Sequence, residues 1–148
     1  MMKIIADSSA NISALEGVCF QSIPMTIRAG EREFVDDGTL DTAKMLDYLA
    51  SYNGKSGTAC PGLDAWLQAF SGADEIFVVT ITGALSGTCA SAVAARDLYL
   101  QSHPEARIHV FDSLSTGPEM LLLIEKLADL IREGKSFDEI CKAGQNYL

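Results

Sequence analysis

The stretch that decides the fold is Ile76–Leu100, which reads IFVVTITGALSGTCASAVAARDLYL. It opens with an apolar run of the kind found in strands that a parallel sheet buries on both faces. It continues through a loop of small residues, Thr82–Thr88, and closes with a segment of helical character. This order predicts a strand, a short loop and a helix that form one unit of an α/β domain.

The loop has the composition of an anion site. Thr82–Thr88 carries three hydroxyls, two glycines and no charge. A loop of this kind that leads into a helix N-terminus offers backbone N–H groups and hydroxyls to a bound anion. It has no lysine, so it is not a P-loop, in which a lysine reaches the outer phosphates. A carboxylate therefore fits the loop better than a triphosphate does.

Strands and helices alternate along the rest of the chain. The predicted strands are Lys3–Ala6, Val18–Phe20, Ile23–Ala29, Glu31–Val35, Glu75–Ile81 and Arg107–Phe111, with a hairpin turn at Ala29-Gly30. The predicted helices are Thr42–Tyr52, Pro61–Phe70, Ser91–Leu100 with its preceding turn, Gly117–Arg132, and a last helix that the capping-box pattern Ser136–Glu139 begins. The alternation predicts the α/β class, with a mostly parallel sheet flanked by helices in a Rossmann-like arrangement of three layers.

Charge and hydropathy exclude several classes of protein. The chain has 148 residues, enough for one domain, and a formal net charge of −9. An acidic chain of this kind is not expected to bind nucleic acid or to adsorb to anionic membranes. The longest apolar run, Met120–Ile124, is far shorter than the roughly 20 residues that span a bilayer, so we do not expect an integral membrane protein. The short apolar run near the N-terminus is also too brief for a signal peptide.

The four cysteines point to a reducing compartment. Cys19, Cys60, Cys89 and Cys141 form no CxxC pair, and no histidine lies at metal-ligand spacing from them. We therefore expect no metal site and predict that the thiols are free and buried. This pattern favours a cytoplasmic protein over a secreted one.

Polar, small-residue loops follow three of the predicted strands. These loops are Asp7–Ser9, Thr80–Thr88 and Asp112–Gly117. The carboxyl ends of parallel strands lie along one edge of an open sheet, where ligands bind in the crevice. We therefore expect the three loops to converge. A fourth loop, predicted over Ser56–Pro61, is also rich in small hydroxyl residues and leads into a helix.

Four segments in these loops resemble the motifs of one family. They read ADSSAN at Ala6–Asn11, TACPGLDAW at Thr58–Trp66, TGALSGT at Thr82–Thr88, and FDSLS at Phe111–Ser115. In order and spacing they are similar to the motifs of the DegV family of bacterial fatty-acid-binding proteins, and together they span most of the chain. Ala59 stands where the family usually has Ser, and Gly62-Leu63 replace its usual Ser-Pro.

The resemblance implies a carrier that holds one long-chain fatty acid, with no other cofactor. The tail lies in an apolar tunnel, and the family presents the acid to a separate fatty acid kinase, so the carrier does no chemistry itself. Family members are about twice as long as this chain, so residues 1–148 resemble the N-terminal lobe alone. Carried over by position, the carboxylate is bound by Thr58 and Ser86, with further candidate contacts from Gly87, Thr88, Ser8 and Ser113.

Each candidate residue also has a plain structural interpretation. Ser86 is a good helix N-cap, and the Thr58 hydroxyl can bond to its own backbone in a turn. Asp7 and Asp112 could form a carboxylate pair for acid–base work, but we favour capping of nearby backbone at the two strand ends.

Two other functions stay open at this point. The Ser86 loop could serve a small α/β hydrolase or transferase as an oxyanion or phosphate site, although His103 and His109 are not placed by the sequence as a base. Alternatively, the chain could be a structural lobe without a ligand. The apolar stripe in Met120–Ile131 predicts a core helix, part of which could pack against a second lobe and otherwise promote self-association.

Overall fold

A four-stranded parallel sheet forms the centre of the protein in a computed structural model that describes residues 1–148. The strand order is β2-β1-β6-β7, and a separate antiparallel sheet has the order β4-β3-β5. The strands are β1 Met2–Asp7, β2 Cys19–Ile23, β3 Thr26–Ala29, β4 Arg32–Val35, β5 Ser56–Ala59, β6 Glu75–Thr80 and β7 Arg107–Asp112. The helices are α1 Thr42–Ser51, α2 Leu63–Phe70, α3 Thr88–Ser102, α4 Gly117–Arg132 and α5 Phe137–Tyr147, and a 3-10 turn covers Ser8–Ala10.

Helices cover both faces of the parallel sheet, which confirms the predicted three layers. Side chains alternate along a strand, so neighbouring residues enter opposite cores. Ile4 and Phe77 belong to the core that α4 and α5 cover, whereas Ile5 and Val78 belong to the core beneath α2 and α3. The two central strands, β1 and β6, are therefore apolar at successive positions, as the sequence indicates for β6.

The smaller sheet is separate from the three layers, and its edge strand β5 contains the candidate residue Thr58. Its hairpin turns at Gly30, whose φ of +62° is a conformation that glycine adopts without strain, as the Ala29-Gly30 signal predicts. Ile27 pairs with Phe34 on one side and with Thr58 on the other. Helix α1 packs on the face of the small sheet that carries Phe34, and the Tyr48 ring lies 5.7 Å from the Phe34 ring.

Three predicted boundaries are wrong. Ser56–Ala59 is an edge strand rather than a loop, because hydrogen bonds to β3 compensate for the poor strand propensity of its small residues. The predicted strand Ile23–Ala29 is divided at Pro24, and its two parts join different sheets. Pro61 does not begin α2, which starts at Leu63 with Gly62 as its N-cap.

The expectation of buried thiols is also corrected. All four cysteines are free, but Cys19 and Cys60 are exposed, and Cys89 and Cys141 are partly exposed. Cys19 begins edge strand β2, and Cys60 follows edge strand β5, where few side chains are available to cover them. Small apolar neighbours in the sequence were therefore a poor guide to burial.

The stripe on α4 belongs mainly to the core. Met120, Leu123, Ile124 and Leu127 are fully buried, which confirms the interpretation as a core helix, whereas Leu122 is 50% exposed. None of the helices combines the length and the apolar character that a membrane span requires.

Candidate functional site

The predicted convergence of loops at the carboxyl edge of the sheet is confirmed by direct hydrogen bonds. Thr82 N–H donates to the carbonyl of Ser115 at 2.9 Å, and Ser113 N–H donates to the carbonyl of Thr80 at 3.1 Å. These bonds join the β6–α3 loop to the β7–α4 loop. The α carbon of Gly117, which begins α4, faces the carbonyl of Ser9, so the β1 loop lies against the same group.

Two aspartates fasten the β6–α3 loop, which confirms that each caps backbone at a strand end. The buried carboxylate of Asp7 accepts from Ile81 N–H at 2.7 Å and from Ser9 N–H at 3.1 Å. Asp112 accepts from Gly83 N–H with both oxygens, each at 3.1 Å. Burial raises the pKa of Asp7 above its ordinary value, against the opposing effect of the hydrogen bonds from Ser9 and Ile81.

Within the loop, Thr82 organises the turn that leads to Ser86. Its carbonyl accepts from the N–H groups of Leu85 and Ser86 at 3.1 and 3.2 Å. Its hydroxyl accepts from Ala84 N–H at 3.3 Å. The backbone between Thr82 and Ser86 is therefore fixed by its own hydrogen bonds, and the next residues open toward the helix.

Ser86 and Thr88 form a linked pair of hydroxyls at the start of α3. Their oxygens lie 2.8 Å apart, and Ser86 Oγ also accepts from Thr88 N–H at 3.3 Å. Thr88 is fully buried, whereas Ser86 is partly exposed. When Thr88 donates to Ser86, the Ser86 proton is free for a ligand. The N-cap of α3 is Gly87 rather than Ser86, so the simple capping interpretation of Ser86 is wrong by one position.

The first turn of α3 leaves three backbone donors available. The N–H groups of Gly87, Cys89 and Ala90 have no acceptor within the chain, while Ser91 N–H is the first to bond back, to Gly87 O at 2.9 Å. Unpaired donors at a helix N-terminus together with the helix dipole attract anions. The Ser86 hydroxyl and these amides thus form a neutral set of donors that suits one carboxylate.

The segment after β5, which follows Thr58, packs against this helix start. Ser91 Oγ donates to the carbonyl of Pro61 at 2.9 Å, and a Cβ placed on Gly87 would lie 3.6 Å from Cys60 Sγ. Thr58 is exposed and lies two residues before Cys60 in the chain. Sequence reasoning missed the packing of Cys60 and Pro61 near α3, because neither residue carries an obvious functional signal.

The other two predicted hydroxyls are buried and form hydrogen bonds within the neighbouring loops. Ser8 Oγ accepts from Met25 N–H at 3.0 Å, which joins the β1 loop to the segment before β3. Ser113 Oγ donates to the carbonyl of Ser115 at 3.1 Å and accepts from its N–H. The Ser113 proton is therefore used within its own turn, and that of Ser8 has no acceptor in the chain.

The histidines lie away from Ser86. His103 is the C-cap of α3, at the opposite end of a 15-residue helix, which corresponds to a separation of roughly 22 Å. His109 lies within β7 and packs against the Phe111 ring, with a centroid distance of 4.4 Å. Neither residue is placed to take a proton from the Ser86 hydroxyl, which a Ser–His hydrolase requires.

A parallel sheet covered by helices, with a cluster of uncharged donors at its carboxyl edge, defines the protein as an α/β domain with a candidate anion site. A family model described as "Uncharacterised protein, DegV family" matches residues 1–147, and the chain belongs to the DegV family.

Relatives and solved structures agree with this assignment. A DegV domain-containing protein of Streptococcus pneumoniae is 47% identical over 145 residues, which cover 95% of this chain and 52% of the relative. A DegV family protein of Eubacterium eligens, loaded with heptadecanoic acid, is 52% identical, with a TM-score of 0.97 over 99% of this chain and 53% of that chain. The Fatty Acid Kinase (Fak) B3 protein of S. pneumoniae, loaded with linoleic acid, is 45% identical, with a TM-score of 0.94 and the same coverage. The chain thus spans about half the length of the relatives it matches.

Proposed function

We propose that this chain is the N-terminal lobe of a bacterial fatty-acid carrier that presents a long-chain fatty acid to a fatty acid kinase. The similar proteins of E. eligens and S. pneumoniae hold heptadecanoic and linoleic acid, and the second is named for a fatty acid kinase. The carrier does no chemistry itself and works in the cytoplasm, where the kinase would find it.

One observation carries the proposal: a partly exposed serine hydroxyl and three unpaired amides lie together at the start of α3. In this interpretation Ser86 and the Gly87 amide bind the carboxylate, and Thr58 donates from the opposite wall. Thr88 orients the Ser86 hydroxyl from below. Ser8 and Ser113 shape the neighbouring loops.

The uncharged donors suit a site that must release its ligand. A buried carboxylate without hydrogen-bond partners is costly, so the head group needs donors. The tail contributes about 0.8 kcal/mol for each buried CH₂ group, so a long chain supplies ample affinity without an ion pair. Neutral donors therefore hold the carboxylate in place while leaving it free to pass to a kinase.

Binding of hexadecanoate by variants tests the proposal. The protein to use is a fusion of residues 1–148 with the second half of the E. eligens relative, together with the chain alone. Ser86→Ala removes a hydrogen bond to a charged group, so we expect affinity to fall about tenfold to a hundredfold. Thr58→Val keeps the side-chain shape and removes the hydroxyl, so affinity is expected to fall by a smaller factor. Isothermal titration measures both.

Matched controls separate head-group recognition from general damage. Ser102→Ala removes a hydroxyl at the far end of α3, and Thr26→Val changes the strand next to β5 on the other face of the small sheet. Both should bind as the wild type does. Hexadecan-1-ol, which has the same tail without the carboxylate, should bind much more weakly. If Ser86→Ala and Thr58→Val both bind hexadecanoate with unchanged affinity, the assignment of the site is wrong.

A further inference from the structure

The loop that carries Ser86 is fastened to the rest of the protein by three consecutive amides. Ile81 N–H donates to Asp7, Thr82 N–H to the carbonyl of Ser115, and Gly83 N–H to Asp112. One bond goes to the end of β1, and the other two go to the segment Asp112–Ser115 at the end of β7. The position of the Ser86 hydroxyl is therefore set by groups that do not touch the candidate ligand.

Of these three contacts, the one between Gly83 and Asp112 lies nearest in sequence to Ser86 and involves both oxygens of a carboxylate. Both carboxylate oxygens of Asp112 accept from Gly83 N–H at 3.1 Å, and one of them also accepts from Leu114 N–H at 3.1 Å. The carboxylate is thus oriented by two backbone donors from two loops. Oδ1 accepts from both donors, so a side chain without an acceptor at this position, such as alanine, would leave both N–H groups without this partner.

The carboxylate of Asp112 lies so close to Gly83 that a side chain at position 83 would collide with it. A Cβ on Gly83 would lie 2.9 Å from Asp112 Oδ2, which is closer than real contacts of this kind allow. The next nearest atoms, Asp112 Cγ and Cys89 Cβ, would lie at 3.8 Å, in ordinary contact. The φ of Gly83 is not in the left-handed region, so the backbone itself accepts alanine. The space at Gly83 therefore serves the contact with Asp112.

We infer that Asp112 is a positioning residue for carboxylate binding, and that it acts through Gly83 to hold the turn in which Ser86 meets the ligand. This inference rests on the proposed function. The carboxylate of Asp112 does not bind the fatty acid, whose negative charge it would repel. Its effect on affinity passes through the backbone of the β6–α3 loop, three residues before Ser86.

A double-mutant cycle tests the inference, because both substitutions break the same contact. In the fusion protein, Asp112→Ala and Gly83→Ala should each weaken hexadecanoate binding about tenfold, the scale of one lost hydrogen bond to a charged group. The double variant should bind no more weakly than either single variant, since the clash disappears with the carboxylate. Asp112→Asn keeps one oxygen acceptor, so its affinity should lie between those of Asp112→Ala and the wild type.

Two further readouts distinguish positioning from a loss of stability. Hydrogen exchange of the Gly83 amide should accelerate in Asp112→Ala while amides of the core strands keep their protection. Asp138→Ala removes an exposed acidic partner of Arg107 at the opposite edge of the sheet, and it should leave binding unchanged. If the wild type binds no hexadecanoate, both the proposed function and this inference are overturned. If the wild type binds but Asp112→Ala has the same affinity, or the two losses are additive, this inference alone is overturned.

Discussion

At the residue scale, polar groups at strand ends were the most predictable part of the protein. Asp7 and Asp112 cap neighbouring backbone as their positions at the ends of β1 and β7 indicate, because a carboxylate is a natural acceptor for amides that a strand end leaves unpaired. The partners were not predictable. Ile81 and Gly83 lie 74 and 29 residues away in the chain, and only the sheet order β1-β6-β7 brings them together.

His109 makes stability depend on pH in a defined direction. Burial, together with the charge of Arg96, lowers its pKa below the ordinary value of 6.5. As the pH falls below 6.5, His109 takes up a proton in the unfolded chain but stays neutral to lower pH in the folded protein. The free energy of unfolding therefore decreases. Chemical denaturation at pH 7.5 and 5.5 measures this loss.

The variant His109→Phe should lose this part of the pH dependence, because phenylalanine cannot be protonated and can pack against Phe111. His103→Gln serves as the control and should retain it. An equal decrease in stability between the two pH values in wild type and His109→Phe would show that His109 does not contribute.

At the element scale, periodicity predicted the helices and buried strands well but failed for β5. Runs of apolar residues that must be buried predict the central strands and α4. Ser56–Ala59 has no such run, and its strand conformation depends on hydrogen bonds to β3 that a local pattern does not reveal. The candidate site has the same limit, because no local pattern reveals that Pro61, in the segment after β5, accepts a hydrogen bond from Ser91 of α3.

Helix α5 contains a glycine whose small size is required by packing. A Cβ on Gly144 would lie 2.7 Å from the Phe111 ring and 3.0 Å from Leu127 Cδ2. Gly144→Ala should therefore destabilise the protein, since overpacking costs about 1–3 kcal/mol and better helix propensity returns at most about 1 kcal/mol. Urea denaturation checks this expectation.

Gly57→Ala is a suitable control for that measurement, because a Cβ there has no atom within 4 Å and the stability should change little. A Gly144→Ala variant that is as stable as the wild type or more stable would show that α5 does not pack as closely on β7 as described.

At the scale of the whole molecule, the proposal that this chain is half of a two-lobed carrier accounts for both its polar and its exposed apolar groups. The carboxyl edge of the sheet carries unpaired donors, whereas Leu85 and Leu114 on the same loops are 76% and 67% exposed. We propose that the second half of the longer relatives supplies the apolar wall for the tail. Sequence motifs indicated the proposed head-group donors because these donors lie close together in the chain. The proposed apolar wall comes from another part of the longer relatives, so no local pattern in this chain describes it.

Titration of ¹⁵N-labelled fusion protein with hexadecanoate is the most direct test of carboxylate binding at the start of α3. The N–H groups of Gly87, Cys89 and Ala90 have no acceptor in the unliganded protein, so their amide resonances should shift strongly when the carboxylate binds. In Ser86→Ala these shifts should be much smaller at the same ligand concentration. Hexadecan-1-ol should not reproduce them. Saturable binding of hexadecanoate that leaves these three amides unmoved would contradict the account.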